Sequence, residues 1–134
     1  MDFPYPFAAL STGLAILIYV WTGFVVGKAR KLHGVDHPDT IGPDAFNRAW
    51  RAHQNTLEQL VIFLPSLWLF AVVVNDRWAA LLTFVWSVGR ILYVRGYMIA
   101  APKRQAGFMI AILATAVLLF GSMIAVFVPL IGWN

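Results

Sequence analysis

Four long apolar segments dominate this chain of 134 residues and limit the folds open to it. Two of them, residues 7–27 and 106–128, contain no charged side chain at all. The other two, residues 44–74 and 78–98, carry a few charges among otherwise apolar residues. A helix needs about 20 apolar residues to cross the hydrocarbon layer of a bilayer, and each segment is long enough. The pattern predicts an all-α membrane protein, a bundle of four transmembrane helices forming one domain over residues 1–134.

Composition excludes several classes of protein. Charged residues make up only 12% of the chain, about half of the roughly 25% that soluble domains carry. There is no cysteine, so disulfides, thiolate metal sites and a cysteine nucleophile are excluded, and any reactive thiol must arrive with a ligand. The histidine and aspartate residues of the 33–43 connection lie among glycines and prolines and match no metal-binding signature. We therefore expect no metal site.

The basic residues lie at the ends of apolar segments rather than on one soluble face, which argues against a nucleic-acid partner. Nine of the ten flank the first and third connections: Lys28, Arg30, Lys31, Arg48, Arg51, Arg90, Arg95, Lys103 and Arg104. Positive charge marks the cytoplasmic side of membrane proteins. The first and third connections are therefore predicted to be cytoplasmic and both termini to lie on the other face. Trp133 is predicted to anchor the last segment at the membrane interface.

One polar face opens the second apolar segment. On a helix, Arg51, Asn55 and Glu58 are at positions i, i+4 and i+7 and share one side. Glu58 is the sole glutamate of the chain. A carboxylate near hydrocarbon is costly unless it is paired, so it marks a functional site. The competing interpretation is a structural Arg51–Glu58 pair that ties helices together.

A second polar face lies on the third segment, where Arg90, Tyr93 and Tyr97 are at i, i+3 and i+7. Such arginines bind carboxylates, a glutamate receives an ammonium group, and tyrosines donate from an apolar wall. Together with the first face, and with Arg30 and Arg104 at helix ends, these residues are suited to an anionic, zwitterionic ligand. The two tyrosines can instead serve as interface anchors, and Arg95 and Lys103 need only reach lipid headgroups.

The motif Arg51-Ala-His-x-Asn55-x-x-Glu58, followed by Gly89-Arg90-x-x-Tyr93-x-x-x-Tyr97, resembles the MAPEG family. The name stands for membrane-associated proteins in eicosanoid and glutathione metabolism. The resemblance extends over the whole chain. It implies a homotrimer of four-helix subunits that holds glutathione between neighbouring subunits at the cytoplasmic end.

The resemblance also implies roles for individual residues. Arg104 matches the arginine thought to stabilise the glutathione thiolate and is the expected catalytic residue. His53 matches a position that contacts the ligand from the neighbouring subunit. The remaining glutathione-binding residues implied by the family motif are Arg30, Arg51, Asn55, Glu58, Tyr93 and Tyr97.

Three departures from the family's eicosanoid branches narrow the expected activity. Gln54 replaces an arginine of the prostaglandin-synthase branch, and Gln59 and Lys31 replace a tyrosine and an arginine of the leukotriene branch. They favour a general transferase of bacterial type, in the inner membrane, that conjugates glutathione to hydrophobic electrophiles or reduces lipid hydroperoxides. The alternatives are a small channel or transporter subunit and a non-catalytic membrane assembly protein.

Overall fold

The computed structural model describes residues 3–132, and Trp133, predicted as an interface anchor, lies outside them. Four α-helices follow one another: α1 (Pro6–His33), α2 (Asp44–Val73), α3 (Asp76–Ile99) and α4 (Gln105–Leu130). A 3₁₀ turn, Ala101–Arg104, joins α3 to α4. No β-strand occurs between residues 3 and 132. The chain is all-α, as the apolar segments predict.

Two helix boundaries differ from those predicted. α1 continues past Gly27 to His33, so its basic residues occupy the last turns, where cations interact favourably with the helix dipole. Gly34 then ends α1 in the left-handed region, with φ 63° and its N–H bonded to the Arg30 carbonyl. α3 begins at Asp76 rather than after Arg77, because the Asn75 side chain caps the helix by accepting from the Arg77 and Trp78 N–H groups.

Three parts of the described chain are long and apolar enough to cross a membrane: α1, α2 and the run Ala101–Leu130. α3 has 24 residues and includes the charged Arg90 and Arg95. Length and composition therefore support three of the four predicted spans directly. α2 remains one helix through Pro65.

The helices alternate in direction. The Asp76 carboxylate accepts hydrogen bonds from the Phe7 and Ala8 N–H groups at 2.9 and 2.7 Å, so α1 and α3 start at the same end of the bundle. Their C-terminal ends, with the starts of α2 and α4, form the other end, called here the basic end because it carries nine of the ten lysines and arginines. Between the two ends, Phe63 stacks on Trp86 at 4.1 Å between ring centroids in the apolar core.

Glycines bring α3 and α4 into direct backbone contact. A Cβ on Gly107 would lie 2.6 Å from the Gly89 carbonyl oxygen and 2.6 Å from the Tyr93 Cα. A Cβ on Gly96 would collide with the carbonyl oxygen of Lys103 in the 3₁₀ turn. Only glycine allows backbones to approach this closely. These contacts hold the turn, and with it Arg104, against the end of α3.

Candidate functional site

The polar face of α2 is organised around an ion pair. Arg51 donates to both Glu58 carboxylate oxygens, at 2.9 and 3.3 Å. Asn55 lies between them in sequence, and its Nδ2 donates to Glu58 Oε2 at 3.4 Å. The Arg51 and Glu58 side chains remain 53% and 51% exposed. The pair therefore presents a positive and a negative group side by side, with both accessible to a ligand.

A buried arginine supports this face from α3. Arg90 is fully buried, and its two terminal nitrogens donate to Asn55 Oδ1 at 3.1 Å and Thr56 Oγ1 at 2.7 Å. Its guanidinium carbon lies 4.2 Å from the ring centroid of Tyr93. Because Asn55 Oδ1 accepts from Arg90, the Asn55 amide nitrogen is turned toward Glu58. Arg90 thus orients Asn55 while its own charge stays inside the bundle.

A pocket of about 280 Å³ opens at the basic end where α2, α3 and α4 meet. It is lined by Arg51, Asn55, Tyr93, Arg104, Gln105 and Phe108. The Arg104 guanidinium lies 4.7 Å from the Tyr97 ring centroid, within the distance of about 6 Å at which a cation and an aromatic ring attract. Arginines from α2 and from the turn before α4 therefore border the same cavity.

Arg30 and His53 lie elsewhere, in a second cavity of about 540 Å³ between α1, α2 and the connection that joins them. His53 stacks on Tyr19 at 4.6 Å, and its Nδ1 is 2.8 Å from Thr22 Oγ1. The Thr22 hydroxyl also lies 2.6 Å from the Tyr19 carbonyl oxygen, so it links the His53 ring to the backbone of α1. Within a single copy, neither residue lines the pocket that contains Arg51.

Arg30 already has structural contacts in this second cavity. Its Nη1 donates to the carbonyls of Asp36 and Asp39 at 3.1 and 2.7 Å. Its guanidinium carbon lies 5.0 Å from the Phe46 ring centroid. Arg30 therefore holds the connection between α1 and α2 in place, whatever else it binds.

The structure brings together six of the eight residues to which the family motif assigns catalytic or glutathione-binding roles: Arg51, Asn55, Glu58, Tyr93, Tyr97 and Arg104. It adds Thr56, Gln105 and Phe108, which no motif indicated. It also gives Arg90 a supporting role that the motif alone did not define. Residues 3–132 contain no group of three histidine, aspartate or glutamate side chains placed to hold a metal ion.

Comparison with known proteins decides the family. The model of the MAPEG family matches residues 8–124, nearly the whole chain. The chain belongs to the MAPEG family. An uncharacterized protein of the cyanobacterium Synechocystis is 45% identical over 118 residues, which are 88% of this chain and 86% of that protein.

This MAPEG chain also resembles mammalian enzymes. Human microsomal glutathione S-transferase 2 is 40% identical over 65% of this chain and 59% of its own length. Guinea pig (Cavia porcellus) leukotriene C4 synthase is 36% identical over 73% of this chain and 65% of its own length. The chain thus matches less than two thirds of the length of each mammalian relative. The mammalian relatives thus carry the names of a glutathione S-transferase and a leukotriene C4 synthase, whereas the cyanobacterial relative is uncharacterized.

Proposed function

We propose that this protein is an integral membrane glutathione transferase that conjugates glutathione to hydrophobic electrophiles. The observation that carries the proposal is the convergence of Arg51, Asn55, Tyr93 and Arg104 on one pocket, with Glu58 bonded beside it. Its volume of about 280 Å³ in a single copy is just below the range of about 300–1,000 Å³ for small-ligand sites. Names of relatives that include glutathione transferase and leukotriene C4 synthase support the same chemistry.

The side chains suit the charges of glutathione. This tripeptide has two carboxylates, one ammonium group and one thiol. Arg51 offers a bidentate donor to a carboxylate, and Glu58 offers an acceptor to the ammonium group. Asn55, turned by Arg90, offers its N–H₂ group beside them. Arg51 and Glu58 neutralise each other, so α2 presents a paired positive and negative group to the ligand rather than a net charge.

Arg104 is the proposed thiolate activator. A free thiol has a pKa of about 8.5, so only a few per cent is ionised at neutral pH. A guanidinium close to the sulfur favours the anion, and lowering the pKa by one to two units corresponds to about 1.4–2.7 kcal/mol. The thiolate sulfur then forms a bond to the electrophilic carbon, and the leaving group departs with its electron pair. Two glutathione thiols could reduce a lipid hydroperoxide at the same site, giving an alcohol, water and glutathione disulfide.

We further propose that the complete site is shared between copies in a homotrimer. Arg51 and Arg104 border one cavity, whereas Arg30 and His53 border another on the far side of α2. The two sets can contact one ligand only if the second cavity of one copy lies against the first cavity of its neighbour. The half-exposed Arg51–Glu58 pair would also be costly against hydrocarbon, and a neighbouring copy would cover it. The basic end would face the cytoplasm, where positive charge concentrates.

Mixed oligomers test the shared site. Arg51→Ala and His53→Ala remove residues from different cavities, so co-expressing the two variants should restore transferase activity at sites formed by the intact half of each copy. Co-expressing Arg51→Ala with Arg104→Ala is the matched control, because both changes affect the same cavity and no intact site can form. Equal activity from the two mixtures would reject a site built from two copies.

Calorimetry with glutathione on the purified protein separates the enzyme from the alternatives. A channel subunit or an assembly protein should release no binding heat with this ligand. Lys103→Gln is the control for Arg104 variants, since it removes a neighbouring positive charge that lines neither cavity. Absence of binding in the wild-type protein would end the transferase proposal.

A further inference from the structure

A third cavity lies on the outer surface of the bundle, away from both halves of the proposed glutathione site. It is a groove of about 320 Å³ between α1 and α3, lined by Leu17, Ile18, Trp21, Ile91 and Arg95. Arg90 and Tyr93 of α3 are buried on the inner side of the helix, whereas Ile91 and Arg95 are exposed. The groove therefore opens toward the surroundings of the bundle.

The groove has one charge and no counter-ion. Four of its five lining residues are apolar or aromatic, and Arg95 is the exception. Neither α1 nor α4 contains an acidic residue. The one carboxylate of α3, Asp76, is at the opposite end and is bonded to the Phe7 and Ala8 N–H groups. α2, which packs against both α1 and α3, has the carboxylates Asp44 and Glu58. Glu58 pairs with Arg51, and within residues 3–132 no carboxylate lies at ion-pair distance from Arg95.

The depth of Arg95 in the bundle matches the boundary between hydrocarbon and headgroups. α1 and α3 start together at the end opposite the basic end. From Asp76 to Arg95, α3 rises by about 28 Å at roughly 1.5 Å per residue. The hydrocarbon layer is about 30 Å thick. The guanidinium therefore reaches one headgroup layer, and the apolar part of the groove extends from it toward the middle of the bilayer.

We propose that this groove binds one acidic phospholipid of the surrounding membrane. Its phosphate would accept two hydrogen bonds from the Arg95 guanidinium, which is suited to bidentate contact with phosphate oxygens. One acyl chain would lie along Leu17, Ile18 and Ile91, and the Trp21 indole would pack beside it. The charge at one end and the apolar walls at the other match this amphiphile.

A cavity elsewhere on the bundle provides an internal comparison. A groove of about 360 Å³ between α2 and α4 is lined by Leu69, Val73, Ser122, Met123, Val126, Phe127 and Leu130. It contains no charged residue, so it offers no reason to prefer an acidic headgroup. Of these two grooves, only the one that contains Arg95 should prefer an acidic headgroup.

Native mass spectrometry of the full-length protein provides the test. Phosphatidylglycerol and phosphatidylcholine with identical acyl chains are titrated separately into the protein in detergent. We expect the wild-type protein to bind the first lipid more tightly by a factor on the order of five, the size expected for one basic residue near an anionic surface. Arg95→Gln should abolish this preference, whereas Lys103→Gln, an equal loss of charge at the same end, should retain it.

Two further variants test the groove rather than the charge. Ile91→Trp fills it and should weaken retention of the acidic lipid, whereas Leu92→Trp enlarges an adjacent exposed residue that does not line it. Equal affinity of the wild-type protein for both lipids would overturn the proposal. That result is expected if a second copy of the chain, rather than a lipid, covers the groove. A preference that survives in Arg95→Gln, or displacement of the phospholipid by an equal concentration of oleate, would overturn it as well.

Discussion

One added methyl group at Gly96 should disturb the proposed chemistry while leaving the fold largely intact. A Cβ there would lie 2.8 Å from the Lys103 carbonyl carbon and 3.3 Å from the Arg104 amide nitrogen. Carbon atoms need about 3.5 Å between them, so Gly96→Ala requires the 3₁₀ turn to retreat by at least roughly 0.7 Å, and further still to clear the Lys103 carbonyl oxygen. The turn contains Arg104, whose guanidinium lies 4.7 Å from the Tyr97 ring centroid.

Two opposing terms determine the effect of Gly96→Ala on stability. Replacing glycine by alanine inside a helix gains roughly 0.5–1 kcal/mol. Forcing a methyl group into a packed contact costs about 1–3 kcal/mol. The collision is with backbone atoms, which cannot rotate away, so the cost should exceed the gain. We expect a net loss of about 1–2 kcal/mol, a variant that still folds.

Gly96→Ala should reduce turnover strongly although it reduces the free energy of unfolding only modestly. Misplacing a catalytic group by about 1 Å costs as much as a hundredfold in rate, so we expect turnover to fall by about 10- to 100-fold. Glutathione affinity should change little, because Arg51, Asn55 and Glu58 are on α2 and do not move with the turn. The assay is conjugation of glutathione to a hydrophobic aryl halide, combined with ultraviolet titration of the bound thiolate.

Two glycine variants serve as controls for Gly96→Ala. Gly13→Ala makes the same change on α1, where no atom lies within 4 Å of the added Cβ, and should leave activity unchanged. Gly121→Ala introduces a tight contact farther along α4, with its Cβ 2.8 Å from the Phe70 ring, and should lower stability without shifting the thiolate titration. A folded Gly96→Ala protein with wild-type turnover would refute the role of this contact in positioning Arg104.

Three other predictions concern the site and its orientation. Glu58→Gln should weaken glutathione binding, measured by calorimetry, by about 1–3 kcal/mol, because a charge-assisted hydrogen bond is lost. If affinity is unchanged but native mass spectrometry shows that the oligomer dissociates, the Arg51–Glu58 pair has a structural role instead. Arg104→Ala should raise the pKa of the bound thiol, so the rate falls at neutral pH and recovers partly as pH rises; an unchanged thiolate titration would remove Arg104 from the mechanism. A reporter that is active only in the cytoplasm, fused after Asn134, should stay silent, and a strong signal would reverse the proposed topology.

Local features of the site were predictable from sequence because they depend on periodicity within one helix. Arg51 and Glu58 are seven residues apart, two helical turns, and the structure joins them by two hydrogen bonds. The two faces of α2 follow from the same rule, since His53 is only two residues from Arg51 and must point elsewhere. The all-α class was equally accessible, because apolar length is a property of the sequence itself.

Contacts between helices were decided only by tertiary structure. Arg90 and Thr56 are 34 positions apart, and no periodicity predicts that the arginine donates to that hydroxyl. The C-terminal end of α1 was predicted too early, because its basic residues were assigned to the connection that follows. In the structure these residues occupy the last turns of the helix, where they interact favourably with its dipole, and Gly34 ends it after His33.

The position of Arg104 depends on glycines, which have no functional side chain themselves. Gly89 and Gly107 let the backbones of α3 and α4 touch, and Gly96 lets the 3₁₀ turn approach the end of α3. From the sequence alone, a glycine indicates only that a residue has no side chain. Whether another backbone packs against that glycine depends on which helices are neighbours in the folded structure. The sequence by itself therefore determined which charged groups the chain contains and which share a helix face, and close packing of backbones decided which of them border one pocket.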